Sequence, residues 1–302
     1  MLHLLIAGIA LVVLIKSADI FIDQALAIAE RLNVSSFLIG FTLISIGTAL
    51  PDLIISTFAA YNGDTNFAIA TFIGSAMVNI SLLVGVLSFF TKYRLHKIDI
   101  TRNIPIALGA SIFLLLIIAI FKLQLRWPAG LLLIGAFGFT IYLANKNKNN
   151  VTLEAEQKFD ILIFIISLIL LILTGKVSTE HFLSFAQKTG IADTVVGFFL
   201  VGISITAPEL ITSLRVIKKG NLQLSLGNIL GASLINILLI PGIASLLTPL
   251  NFLSFIPSLL CLTFAVLLFY IFGLLGKEYY ITRREGIGMI ITYIIFILLQ
   301  LL

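Results

Sequence analysis

Charge is scarce in this chain. Only 11% of its 302 residues are Asp, Glu, Lys or Arg, whereas 60% are hydrophobic and the mean hydropathy is +1.16. So little charge excludes a soluble globular domain, in which roughly a quarter of the residues are charged. Cysteine is almost absent, and Cys261 alone forms no intramolecular disulfide. Histidine is limited to His3, His96 and His181, whose spacing fits no metal motif. The N-terminus lacks a basic leader region and a small-residue cleavage site, so it reads as a first span rather than as a signal peptide. The net charge of +5 is spread in a way that points to membrane topology, not to nucleic acid.

Long apolar runs take the place of charge. Crossing about 30 Å of hydrocarbon needs roughly 20 helical residues. The runs between polar breaks predict ten spans, at 2–31, 35–61, 67–91, 98–121, 126–145, 158–188, 193–217, 223–247, 251–275 and 286–302. Strands of a membrane barrel would be shorter and would alternate polar with apolar side chains. The run from Ile161 to Leu173 does not alternate. The expected fold is therefore an all-α integral membrane protein.

Lys and Arg divide unevenly between the two sides that these spans define. The face receiving the loops after the odd-numbered spans carries 14 of them and the opposite face 3, with Lys16 and Lys176 counted within spans. The positive-inside rule makes the first face cytoplasmic and leaves both termini outside. The polar stretch 146–157 is the one linker-like segment, and it separates 1–145 from 158–302, five spans on each side. Because five is odd, any element repeated in the second half enters the membrane from the opposite side. The chain is thus expected to form two inverted five-helix repeats joined by a cytoplasmic linker.

A repeated passage supports that reading. Residues 40–56, GFTLISIGTALPDLIIS, and 197–213, GFFLVGISITAPELITS, share 8 identities in 17 at an offset of 157. At the same offset GSAMVNI (74–80) matches GASLINI (231–237). Each copy supplies an acid, Asp52 or Glu209, and an amide, Asn79 or Asn236, within lipid-soluble sequence. A carboxylate at the bilayer centre costs on the order of 3 kcal/mol, and such residues mark ion or substrate pathways. Pro51 and Pro208 remove backbone donors next to the acids, and Gly47 and Gly202 loosen the backbone upstream. Carbonyls near Ser45 and Gly202 are expected to lose helical partners and to become available to a cation. Thr48 shares a helix face with Asp52, Ser75 with Asn79, and Thr206 with Glu209.

Carboxylate, amide, hydroxyl and carbonyl oxygens suit a hard cation rather than zinc, copper or iron. Two acids beside two neutral amides balance one divalent ion, and a flexible oxygen cage suits Ca²⁺ better than Mg²⁺. Emptied of that ion, the acids must take protons or smaller cations.

GTALPD (47–52) with IGSAMVN (73–79), and APE (207–209) with LGASLIN (230–236), resemble the two alpha-repeats of the sodium/calcium exchanger family, the cation/calcium antiporters of prokaryotic type. The likeness extends over nearly the whole chain. It implies a secondary active antiporter that exchanges Ca²⁺ for Na⁺ by alternating access, with the ion bound between the alpha-repeats. It further implies that Asp52 and Glu209 are central ligands and Asn79 and Asn236 their partners. Thr48, Thr206, Ser75 and the carbonyls of Ser45 and Gly202 would line flanking monovalent sites. The motif departs from the family pattern at Ala49 and Ile205, which offer no side-chain oxygen, and at Ala232, Asn236 and Asp52. Coupling to H⁺ or K⁺ is therefore the alternative. No enzyme activity, cofactor, nucleic acid or obligatory protein partner is expected.

Plainer readings exist for each residue. The acids can brace a helix kink, the amides can join helices, and the hydroxyls can bond back to their own helix. A cation channel and an intramembrane aspartyl protease are more distant alternatives, and the protease would need its two acids close enough to share a proton. Lys16 with Asp19, and Lys176 with Glu180, are spaced to pair along one helix, and Lys176 lies 157 residues after Asp19.

Overall fold

The computed structural model describes residues 2–31, 35–90, 93–145, 159–188, 206–276 and 279–301. Nearly all of it is helix. The order is α1 (Leu2–Arg31), α2 (Ser36–Ile39), α3 (Ser45–Tyr61), α4 (Thr65–Met77), α5 (Val84–Phe90), α6 (Ile104–Ile120), α7 (Trp127–Asn145) and α8 (Ile161–Lys188). After a stretch outside the described residues come α9 (Ala207–Lys218), α10 (Leu222–Leu234), α11 (Ile240–Leu247), α12 (Ile256–Leu275) and α13 (Arg283–Leu301). Several neighbours in this order run on through a π-helical turn. Six continuous stretches are long and apolar enough to cross a membrane: Ser36–Tyr61, Thr65–Phe90, Asp99–Ile120, Trp127–Asn145, Leu222–Leu247 and Leu253–Leu275. They coincide within a few residues with six of the predicted spans. Helices α1, α8 and α13 lie on three more, and α9 covers the described part of 193–217.

The chain divides into two compact units, each drawing on both halves of the sequence. One contains residues 1–51 and 145–231, the other 52–144 and 232–302, so the divisions fall inside α3, at the end of α7 and inside α10. In the first unit α1 and α8 pack along each other around Leu14, Ala18, Phe21, Ile22, Phe164 and Leu171. The rings of Phe21 and Phe164 stack there, with centroids 5.0 Å apart. The segment 36–45 crosses α10 at backbone contact. A Cβ on Gly40 would sit 2.2 Å from the Leu224 carbonyl oxygen, and one on Gly227 would sit 2.2 Å from that of Phe37. Small residues at such crossings let helices approach where lipid gives them no hydrophobic drive to associate.

Charged side chains of the first unit pair between helices. Asp19 of α1 bonds Arg215 of α9 at 3.4 Å, and Asp23 bonds Lys219. This corrects the expected Lys16–Asp19 pair. Lys16 is exposed, and the closer approach of α9 to α1 offers Asp19 a bidentate-capable guanidinium instead. The side chains of Lys176 and Glu180 lie outside the described residues.

In the second unit α5 packs on α13, and α6 on α12. Two short antiparallel ribbons join connecting segments: β1 (Tyr93–Arg94) with β4 (Tyr280–Ile281), and β2 (Gln124–Leu125) with β3 (Leu250–Asn251). Strand β3 follows β1 by 157 residues, the offset of the sequence repeat. Gly85 and Gly242, also 157 residues apart, each make a close crossing. Gly85 meets Gly286 and Ile290, while Gly242 meets Gly130 and Ile134.

Candidate functional site

The local backbone of the repeated motifs departs from a regular α-helix, though not at Pro51. Pro51 lies inside α3, which continues unbroken from Ser45 to Tyr61. The irregular turn falls upstream, as a π-helical segment at Gly40–Ile44. Two further π turns, Val78–Leu83 and Ile235–Leu239, hold Asn79 and Asn236 at the equivalent place. A π turn inserts one extra residue and turns side chains away from the face that α-helical spacing assigns them, and such turns concentrate at functional sites. Glu209 occupies the first turn of α9 behind Pro208, at the positive end of that helix dipole.

The second unit contains Asp52, Ser75, Asn79 and Asn236, all completely buried. Asn236 donates its Nδ2 to Asp52 Oδ2 at 3.1 Å and to the carbonyl of Ala232 at 3.1 Å. Those bonds leave Asp52 Oδ1 and Asn236 Oδ1 without a partner. The Ser75 hydroxyl neighbours the Asp52 carboxyl but does not reach hydrogen-bond geometry with it. Both amide atoms of Asn79 are also unpartnered. Buried polar atoms are normally satisfied, and each unmet one costs about 1–3 kcal/mol. One carboxylate oxygen, two amide oxygens and one hydroxyl are thus left unmet in one unit, all of the hard-donor type. Among the described residues no group of three His, Cys, Asp or Glu side chains gathers, so the oxygen chemistry rests on amides and hydroxyls beside the acid.

The first unit contains Ser45, Thr48, Thr206 and Glu209, also buried. Ser45 Oγ donates to the Phe41 carbonyl at 2.7 Å, so its hydroxyl is spent on its own helix. The Ser45 carbonyl, expected to be freed for a cation, accepts from Thr48 Oγ1 at 3.4 Å at the start of a continuous helix. Thr48 Oγ1 also lies 3.3 Å from Asn228 Oδ1, and Asn228 Nδ2 donates to Ser213 Oγ at 3.1 Å. Gly202 lies outside the described residues.

Asn228 was not among the sequence candidates. A signal for it exists, because Thr71 stands at the matching position of the first half and Ser56 at the position matching Ser213. Polar residues thus recur in register outside the motifs themselves, in spans that otherwise dissolve in lipid.

The family model for the sodium/calcium exchanger protein matches residues 2–145 and 159–302. The chain belongs to the sodium/calcium exchanger family. The exchanger is similar to the sodium/calcium exchanger MaX1 of Methanosarcina acetivorans, 26% identical over 98% of this chain and 97% of that one. It is also similar to the inner membrane protein YrbG of Escherichia coli, 27% identical over 82% of this chain and 79% of that one. Among solved structures it resembles the sodium-calcium exchanger NCX_Mj soaked with Na⁺ and Sr²⁺, with a TM-score of 0.83 at 28% identity and 97% coverage of both chains. The exchanger is therefore a multi-pass helical membrane transporter, and its relatives are transporters rather than enzymes.

Proposed function

We propose that this exchanger is a secondary active antiporter that moves Ca²⁺ against Na⁺ by alternating access. The observation that carries the reading is the set of buried side-chain oxygens without a hydrogen-bond partner in one unit: Asp52 Oδ1, Ser75 Oγ, Asn79 Oδ1 and Asn236 Oδ1. Asp52 and Glu209 act as the charged ligands, with Asn79 and Asn236 as their neutral partners. Ser75, Thr48, Thr206 and the carbonyls of Ser45 and Gly202 serve the monovalent ions. Ca²⁺ and the counter-ion are cargo, and no cofactor takes part. Coupling arises because two loads compete for the same carboxylates and favour different conformations. The proposed scaffold is ten spans in two inverted repeats, 1–145 and 158–302. The linker 146–157 lies in the cytoplasm and both termini lie outside.

One observation favours protons as the alternative counter-ion. The Thr48 hydroxyl is engaged by Asn228 and by the Ser45 carbonyl, and Ala49 and Ile205 supply no oxygen. Weak sodium ligation leaves protonation of the carboxylates unimpaired.

The deciding experiment is ⁴⁵Ca uptake into proteoliposomes under imposed Na⁺, K⁺ or pH gradients. Uptake driven by Na⁺ supports the main reading, and uptake driven only by pH selects the alternative. Replacing Glu209→Gln should abolish uptake under every gradient. Exchange at the wild-type rate in that variant would remove Glu209 from the site.

A further inference from the structure

The second unit carries a groove whose lining includes none of the candidate ion ligands. It lies between α6 and α7, has a volume of about 740 Å³, and is lined almost entirely by apolar side chains. Its size falls in the range of small-molecule and lipid sites. Two glycines keep it open: a Cβ at Gly109 or at Gly135 would meet nothing within 4 Å. These glycines therefore do not serve a helix crossing, unlike Gly130 on the same helix. Leu238, from the π turn that carries Asn236, contributes to the lining. Large apolar residues flank the groove and are exposed, among them Leu132 and Phe139, at 50% and 59%. In a membrane transporter such a surface faces acyl chains.

One end of the groove has a different chemistry. Arg102 is the only charged residue in its lining, with Thr101 beside it. The Arg102 guanidinium donates through Nε to Asn103 Oδ1 at 3.2 Å and through Nη2 to the Ala144 carbonyl at 3.2 Å, which ties the start of α6 to the end of α7. A guanidinium has more donors than those bonds occupy, and the remainder match phosphate oxygens in a fork geometry. Lys97 precedes it and is exposed, while Lys146 and Lys148 follow α7 directly in sequence. An apolar trough capped by a cation with spare donors is complementary to one molecule of the bilayer, an acidic phospholipid. We propose that the groove between α6 and α7 binds an anionic phospholipid, its acyl chain along Gly109 and Gly135 and its phosphate on Arg102.

The test is native mass spectrometry of the full chain released from detergent, with phosphatidylglycerol or phosphatidylcholine added at equal concentration. Wild type should retain phosphatidylglycerol with a preference of roughly five-fold or more, the size that one basic side chain at a membrane surface supplies. Arg102→Gln should remove the preference, and Arg102→Lys should restore part of it. Gly135→Leu, whose added side chain enters open space, should reduce retention of both lipids while leaving the melting temperature unchanged. Water-soluble glycerol phosphate should not compete, since it lacks the chain that the groove holds. Equal retention of the two lipids, an Arg102→Gln variant with wild-type preference, displacement by glycerol phosphate, or a protein dimer in place of lipid adducts would each overturn the assignment.

Discussion

Replacing Asp52→Asn separates a structural acid from one kept for binding, because the two roles predict stability changes of opposite sign. Asp52 is fully buried, receives one hydrogen bond, from Asn236 Nδ2, and has one oxygen unmet. The amide variant keeps an acceptor for that bond and removes the charge. On insertion scales the charge costs at most about 3 kcal/mol at the middle of a span. In chelator, with neither Ca²⁺ nor Na⁺, the variant should therefore be as stable as wild type or more so. At roughly 2–4 °C per kcal/mol for a chain somewhat smaller than this one, the gain amounts to a few degrees in melting temperature. Calcium should then reverse the order. A ligand at a hundred times its dissociation constant stabilises the native state by about 2.7 kcal/mol, and the variant should gain none of this. The assay is thermal unfolding of detergent-solubilised protein, in chelator and in a Ca²⁺ series. A variant that melts several degrees below wild type in chelator, yet still responds to Ca²⁺, would refute the reasoning and make Asp52 a brace for α3.

Other perturbations test neighbouring parts of the structure. Gly227→Leu should wedge α10 away from segment 36–45, since its Cβ would start 2.2 Å from the Phe37 carbonyl oxygen. Overpacking of this kind costs about 1–3 kcal/mol or more, read as a lower melting temperature and poor monodispersity. Asn228→Ala removes the donor to the Ser213 hydroxyl and one of the two acceptors of Thr48. Its expected cost is about 1–3 kcal/mol of stability. If the freed Thr48 becomes a better sodium ligand, the Na⁺ dependence of ⁴⁵Ca uptake should steepen, and an unchanged dependence would rule that out. Topology can be read by labelling, since Cys261→Ser gives a cysteine-free background. A cysteine introduced at Asn150 should react with an impermeant maleimide only from the cytoplasmic side, and labelling from outside would invert the proposed orientation.

Much of the architecture was legible because hydropathy acts locally. The spans around α6, α7 and α12 were placed within a few residues, since an apolar run of the right length admits little else in a bilayer. The pairing of acid and amide at a constant offset likewise singled out Asp52 and Asn236 before any contact between them was known. The kink was placed less well. Pro51 removes a backbone donor and so predicts a kink in α3, but the helix continues through it, and the deviation is a π turn upstream at Gly40–Ile44.

The order of residues thus determined the solvent, the helices and the choice of chemically unusual side chains, all of which depend on composition over a short window. Tertiary structure alone decided which of those side chains meet. The Asn236 amide turned to Asp52, Asn228 between Thr48 and Ser213, and Arg215 on Asp19 join positions 15 to 196 residues apart, through the register of one helix against another. That register is set by close packing at glycines such as Gly40 and Gly227 and by π turns that shift a face by one residue. Neither leaves a periodic trace in the sequence.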